Sequence, residues 1–128
     1  MTELIIQTKK AKEVLDITDE INELFKKGKK AVLAHLFLTH TTAALTTADL
    51  DPGTDLDMLD AFAAMIPNLN YRHPHNPAHV PDHILSSLMG TSLCLPVQDG
   101  ALVLGTWQRV VLIELDGPRE RRIMVSFL

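Results

Sequence analysis

One cysteine, one tryptophan and one tyrosine occur among the 128 residues of this chain. A lone thiol forms no internal disulfide, which fits a protein of the reducing cytoplasm. No apolar run approaches the roughly 20 residues that a membrane span requires. The opening stretch, MTELIIQTKKAKEV, has neither a long apolar segment nor a small-residue cleavage site, so no secretion signal is expected. Charge of one sign is also missing. Twelve Lys and Arg against sixteen Asp and Glu give a net charge of −4, which offers no general attraction to nucleic acid or to a membrane surface. Repeats, linkers and low-complexity tracts are absent as well, so residues 1–128 read as one domain, long enough to bury a core of its own.

The apolar pattern predicts the elements. Residues 3–8 read as a strand. Thr18 is placed to cap a helix running to about Lys27, with Ile17, Ile21, Leu24 and Phe25 on one face and Gly28 as its C-cap. Residues 31–39 are apolar on both alternating faces, which predicts a strand covered on both sides. A further β stretch over 43–47 follows the polar kink Thr39-His40-Thr41-Thr42. Thr54 is placed to cap a second helix with Leu56, Leu59, Ala63 and Ile66 on one face, closed by Pro67. After a stiff loop over 73–83, a short helix spans about 82–89 and ends at Gly90. Strands follow at 91–97, 101–115 and 120–127, divided by turns at Gln98-Asp99-Gly100 and Asp116-Gly117-Pro118. Strands segregated from two or three helices and joined by hairpins predict an α+β fold with a mainly antiparallel sheet.

Histidine is the abundant chemistry-bearing residue, with six in the chain, four of them in the Pro-rich segment 73–83. Imidazole is the commonest protein ligand for zinc, and three imidazoles with a water make a catalytic metal centre. His73 and His75 share a face of an extended segment. His79 and His83 are four apart, but Pro81 suits the first helical position, which puts His79 outside the helix and His83 in its first turn. A helix N-terminus favours a neutral imidazole and bound anions, so His83 suits a metal and sits near amides able to hold phosphate. An exposed polar loop would carry the same residues with no ligand. His40 ends an apolar strand, where a side chain is displayed on a rigid support or simply caps the strand. His35, on the other strand face, reads as a core or interface residue.

Other groups compete for a role. Five aspartates in 49–60 imitate a calcium loop, but glycine falls one position early and the closing glutamate is missing. Asp55 and Asp57 suit the first turn of a helix, and Asp51 with Asp57 could hold magnesium for a diphosphate. Cys94 reads as a buried structural thiol. Glu114, in the apolar run Val110–Leu115, needs a partner, either an arginine or a histidine N–H. Gly105-Thr106-Trp107-Gln108 interrupts a strand. Arg119, Arg121 and Arg122 suit phosphate, although an exposed hairpin end would look alike.

Taken in order, H-T-T-A-A-L at 40–45, D-P at 51–52, Y-R-H at 71–73, H-I-L-S-S-L-M-G-T-S-L at 83–93, L-P-V at 95–97, D-G at 99–100 and G-T-W-Q at 105–108 closely resemble the YjbQ-like family. The match runs from about Leu4 to Leu128. The resemblance implies a compact α+β fold with a sandwich- or barrel-like β core, usually a homotrimer, and secondary thiamine-phosphate synthase activity. It implies a polar pocket with a metal, often zinc, carried here by His40, His73 and His83. By position it also brings Asp51, Asp57, Trp107 and Glu114 to the site. Two departures are visible: Thr47-Ala48-Asp49 stands, one residue shorter, where many members carry Asn-Glu, and Leu85 replaces a lysine.

The expected function is therefore a metal-assisted coupling of a pyrimidine methyl diphosphate to a thiazole phosphate, with release of pyrophosphate. The protein would neutralise leaving-group charge and hold two partners together. Glu114, Asp51 and Asp57 would be its catalytic carboxylates, and Arg119, Arg122 and Trp107 would bind the phosphorylated substrate. Two other readings use the same residues: a metal-dependent hydrolase of a small phosphorylated or amide substrate, or a non-enzymatic trimer binding a metal or metabolite.

Overall fold

A computed structural model describes residues 1–25 and 30–128. Among them are eight strands and three α-helices: β1 (Thr2–Gln7), β2 (Glu13–Asp16), α1 (Thr18–Phe25), β3 (Leu33–Leu38), β4 (Ala43–Ala48), α2 (Thr54–Met65), α3 (Val80–Met89), β5 (Ser92–Gln98), β6 (Ala101–Leu102), β7 (Arg109–Glu114) and β8 (Glu120–Phe127). All strand pairings are antiparallel, in a five-stranded sheet ordered β1-β8-β3-β5-β6 and a three-stranded sheet ordered β2-β7-β4. The expected α+β class is observed. The expected C-terminal end of the first helix at Lys26, Lys27 and Gly28 lies outside the described residues.

The period-2 geometry of β7 explains the layers. Val110 and Leu112 point into one buried cluster with Leu36, Leu38, Leu45, Ile123 and Val125, between the two sheets. Val111 and Ile113 point the other way, into a second cluster with Ala44, Leu85, Phe62 and Ile66, under α2 and α3. β7 is thus the strand covered on both faces, and its run VVLI reads accordingly. The same was expected of β3, and there the structure corrects it. α2 and α3 pack on the other sheet and α1 packs into the first cluster, so Leu33 and Phe37 stay 37% and 45% exposed while Ala34, Leu36 and Leu38 point inward. Cys94, opposite His35 on that open face, is exposed and not buried.

Several local features depart from their sequence signals. Thr18 begins α1, but its hydroxyl accepts the Val110 N–H at 2.8 Å, while Asp16 accepts the Thr18 N–H at 3.0 Å. The threonine ties a helix to a strand, and the aspartate does the capping. Gly53, not Thr54, is the N-cap of α2, and none of that helix's residues is fully buried. The run 101–115 is two strands, broken over 103–108 around exposed Trp107. Asp99 and Gly100, with φ of 53° and 75°, form the two-residue turn that pairs Gln98 with Ala101.

Candidate functional site

The segment between β3 and β4 is anchored by two consecutive residues of β8. Because alternate side chains of a strand face opposite ways, Arg121 points inward and Arg122 outward. The Arg121 guanidinium donates to both the Thr42 carbonyl and the Thr42 hydroxyl at 3.0 Å. The Arg122 N–H donates to His40 Nε2 at 2.9 Å, and its carbonyl accepts the Thr39 N–H at 3.2 Å. Ser86 of α3 then donates to the Ala43 carbonyl at 2.7 Å. A groove of about 520 Å³ opens beside this segment, lined by His40, Thr41, Ser87 and Thr91 among others.

Three ring positions matter here. His83 on α3 donates its Nδ1–H to the Thr41 carbonyl, 3.0 Å away, which is the only role that ring nitrogen has against a carbonyl. In the neutral ring this leaves the lone pair on Nε2, which has no hydrogen-bond partner among the described residues. The His73 ring stacks on the His83 ring, centroids 5.4 Å apart and planes 15° from parallel. His73 Nδ1 accepts the N–H groups of His75 at 3.2 Å and Asn76 at 3.1 Å. A neutral imidazole has one lone pair, so His40 and His73 both spend theirs on backbone amides. Of these three rings, His83 alone keeps its lone pair unspent among the described residues. A three-imidazole centre therefore requires His40 and His73 to give up those amides for the metal.

Burial, and after it the charge of Arg121, hold His40 below its ordinary pKa, with Arg119 and Arg122 acting the same way and Glu114 opposing them. His40 is thereby neutral at neutral pH, with its remaining proton on Nδ1. Each of the three arginines is itself met by a carboxylate: Glu114, Asp116 and Glu3 respectively for Arg121, Arg119 and Arg122.

Glu114 finds the arginine that its buried position demands. Its two oxygens take both arms of Arg121, the Thr8 hydroxyl at 2.6 Å and the Asp116 N–H at 3.0 Å. Burial works against its charge, but Arg121, Thr8 and the Asp116 amide outweigh that and hold its pKa low. Both residues are fully buried, and neither lines the groove.

The remaining candidates stand elsewhere. β4 has 6 residues and so spans about 20 Å, with His40–Thr42 before it and Asp49 and Asp51 after it. Asp51 lines a hollow with Asp49, Trp107 and Arg109, and Trp107 is 71% exposed. Arg109 there is bound to Asp16 at 2.6 Å and Asp19 at 3.3 Å. Asp57 is exposed in the first turn of α2, beside Asp55. Within one chain these groups and the histidines face different ligands. Arg119 is bound to Asp116 at 2.8 Å, and Arg122 lies 3.9 Å from Glu3. Leu85 is buried in the second core.

Sequence reasoning missed one cluster. His79, Asp82 and Asp116 bring potential ligand atoms within 4.8 Å of one another, the one such group among the described residues. Each carboxylate already has a cation, Lys12 at 2.6 Å from Asp82 and Arg119 at 2.8 Å from Asp116, with His79 bridging to Asp116 at 3.0 Å. This is an ion-pair network that staples α3 to the turn after β7. Partners 70 and 37 residues apart leave no local signal of it.

Fold and site together define a class: a small antiparallel α+β protein with a polar groove beside the segment that joins β3 to β4 and carries His40. The model of the UPF0047 protein YjbQ-like family matches residues 2–128. A UPF0047 protein of Archaeoglobus fulgidus is 35% identical over 127 residues, covering 98% of this chain and 99% of its own. YjbQ of Salmonella typhimurium is 43% identical over 113 residues, 81% of each chain. An uncharacterized conserved YjbQ/UPF0047 protein of Clostridium acetobutylicum, described as orthologous to Bacillus subtilis YugU, superposes over 100% of both chains with a TM-score of 0.89 at 31% identity. The chain belongs to the YjbQ/UPF0047 family. None of these names states an activity, so function rests on the site.

Proposed function

We propose that this protein is an enzyme acting on a small phosphorylated substrate in the groove beside His40 and His83. The observation that carries the reading is a neutral His40 on the groove wall next to Thr41, whose carbonyl orients the His83 ring. His83 is oriented by Thr41 so that Nε2 takes a proton from solvent and gives it to a departing phosphate oxygen. His40 Nδ1–H, with the Ser87 and Thr91 hydroxyls, offers neutral donors to phosphate oxygens, and Arg122 adds charge at the rim.

The specific reaction we propose is coupling of the thiamine-phosphate synthase type. The thiazole nitrogen forms a bond to the pyrimidine methylene carbon as the bond from that carbon to the diphosphate oxygen breaks. The electron pair of the broken bond leaves with pyrophosphate, so stabilising that departing charge is the main demand on the protein. A divalent metal, zinc or magnesium, supplies Lewis-acid stabilisation of such a charge when bound. A homotrimer in the cytoplasm completes the proposal.

The test is pyrophosphate release from the paired pyrimidine and thiazole substrates by wild type and by His83→Gln. Loss of a proton-transfer group predicts a fall of about 100-fold in the variant. Equal rates in both proteins would overturn the role of His83. Phosphate release with the second substrate omitted would replace coupling with hydrolysis. Elemental analysis of tag-free protein beside His40→Ala and His73→Ala decides whether a metal shares the site.

A further inference from the structure

A second cavity, of about 330 Å³, lies between α2 and α3, and shares no residue with the histidine groove. Its walls are Leu59, Phe62 and Ala63 of α2 and Ile66 at its C-cap, against Pro81 and Leu85 of α3. None of the residues of α2 is fully buried: Phe62 and the following Ile66 pack on the second core cluster and also stand open to the cavity. Apolar surface held open in this way gains free energy from any apolar body that fills it. The volume falls in the lower range of small-molecule pockets.

One end of the cavity is polar. Lys12 Nζ donates to Asp82 Oδ1 at 2.6 Å and to the Leu115 carbonyl. An ammonium has three N–H donors, so one remains for an incoming acceptor. The charge is already met. Asp82 neutralises Lys12, and Asp116 with Arg119 beside them add one charge of each sign. A negatively charged ligand would therefore gain no net attraction and would lose its hydration. An uncharged acceptor would receive a charge-assisted hydrogen bond at no such cost.

From this we infer that the α2–α3 cavity is a binding site for a small uncharged aromatic molecule bearing one carbonyl-type acceptor, its ring between Phe62 and Leu85 and its oxygen on Lys12. The site is independent of the histidine chemistry, and its test needs no turnover.

Benzamide serves as the probe, with backbone amide shifts of the full chain as the readout. Saturable shifts confined to α2, α3 and the Lys12 segment are expected, with a dissociation constant of roughly 1 mM. Ala63→Leu, an exposed helical position compatible with leucine, should abolish them by filling the space without unfolding the protein. Lys12→Met should weaken binding roughly tenfold by removing the donor. Benzoate should bind no more tightly than benzamide. Unsaturable or scattered shifts would overturn the site, as would undiminished binding to Ala63→Leu. Equal affinity of Lys12→Met, or tighter binding of benzoate, would overturn the assigned chemistry.

Discussion

Replacing Glu114 by glutamine separates a structural anchor from a catalytic acid. In the folded chain the Glu114 carboxylate neutralises Arg121, and both side chains are removed from water. Glu114→Gln leaves the guanidinium buried with only Thr42 and a neutral amide to face. Breaking one side of such a pair costs about 3–5 kcal/mol. For a chain of 128 residues that loss lowers the melting temperature by roughly 10–20 °C. Urea unfolding followed by circular dichroism measures it directly. The pH dependence supplies an internal control. The folded-state pKa of Glu114 lies below its ordinary 4.5, so the unfolded chain takes up the proton first. Its contribution is complete above about 4.5 and is lost as pH falls through the folded value. The gap between wild type and Glu114→Gln should accordingly narrow as pH drops below 4.5, because protonated glutamate resembles glutamine. The double variant Glu114→Met, Arg121→Met, with neither charge left, should lie closer to wild type than either single change. A Glu114→Gln protein within about 1 kcal/mol of wild type at neutral pH, or a gap independent of pH, would refute the anchor.

Three further changes probe the scaffold. Gly117→Ala would set a methyl group against the Lys10 carbonyl and 2.8 Å from Glu114 Cγ, and should cost about 3 kcal/mol in urea unfolding. Thr18→Val should cost about 1–3 kcal/mol by stranding the buried Val110 N–H, while Thr18→Ser stays near wild type; equal stabilities would show that the hydroxyl is dispensable. Gly100→Ala, at φ 75°, should lose about 1 kcal/mol, read as a lower thermal midpoint with the fold unchanged.

Much of the fold was legible because its signals are local. Alternation over β8, the Asp99-Gly100 turn and the proline at the start of α3 each act within a few residues, and each appears near where it was expected. β2 was not legible. Its four residues, EVLD, are a strand only because β7 offers them a partner about a hundred positions away. The long run 101–115 is apolar enough for one strand, but the Gly105 amide bonds to the Gln108 side chain at 3.1 Å and turns the chain outward. The open face of β3 was misread because its composition matches that of a doubly covered strand. Which strand the helices cover is set by topology, and β7 holds that place.

The site was legible by residue type and not by state. His40, His73 and His83 could be picked from the sequence, but the free lone pair on His83 depends on one backbone carbonyl, that of Thr41. That carbonyl is held by the residues around it. Arg121 fixes Thr42 from inside and Arg122 fixes His40 from outside, through adjacent positions of one strand. The pairing of Leu38 with Ile123 and of Ile6 with Arg121 sets which arginine faces which way. A slip of one residue in β8 would turn Arg121 outward, expose the charge that Glu114 needs and bury that of Arg122. A slip in either direction also turns Ile123 and Val125 out of the core, and one of the two sets Glu120, a like charge, where Arg121 stands against Glu114. The observed register therefore sets Arg121 against both Glu114 and Thr42, and with Arg122 it fixes the segment that carries His40 and Thr41.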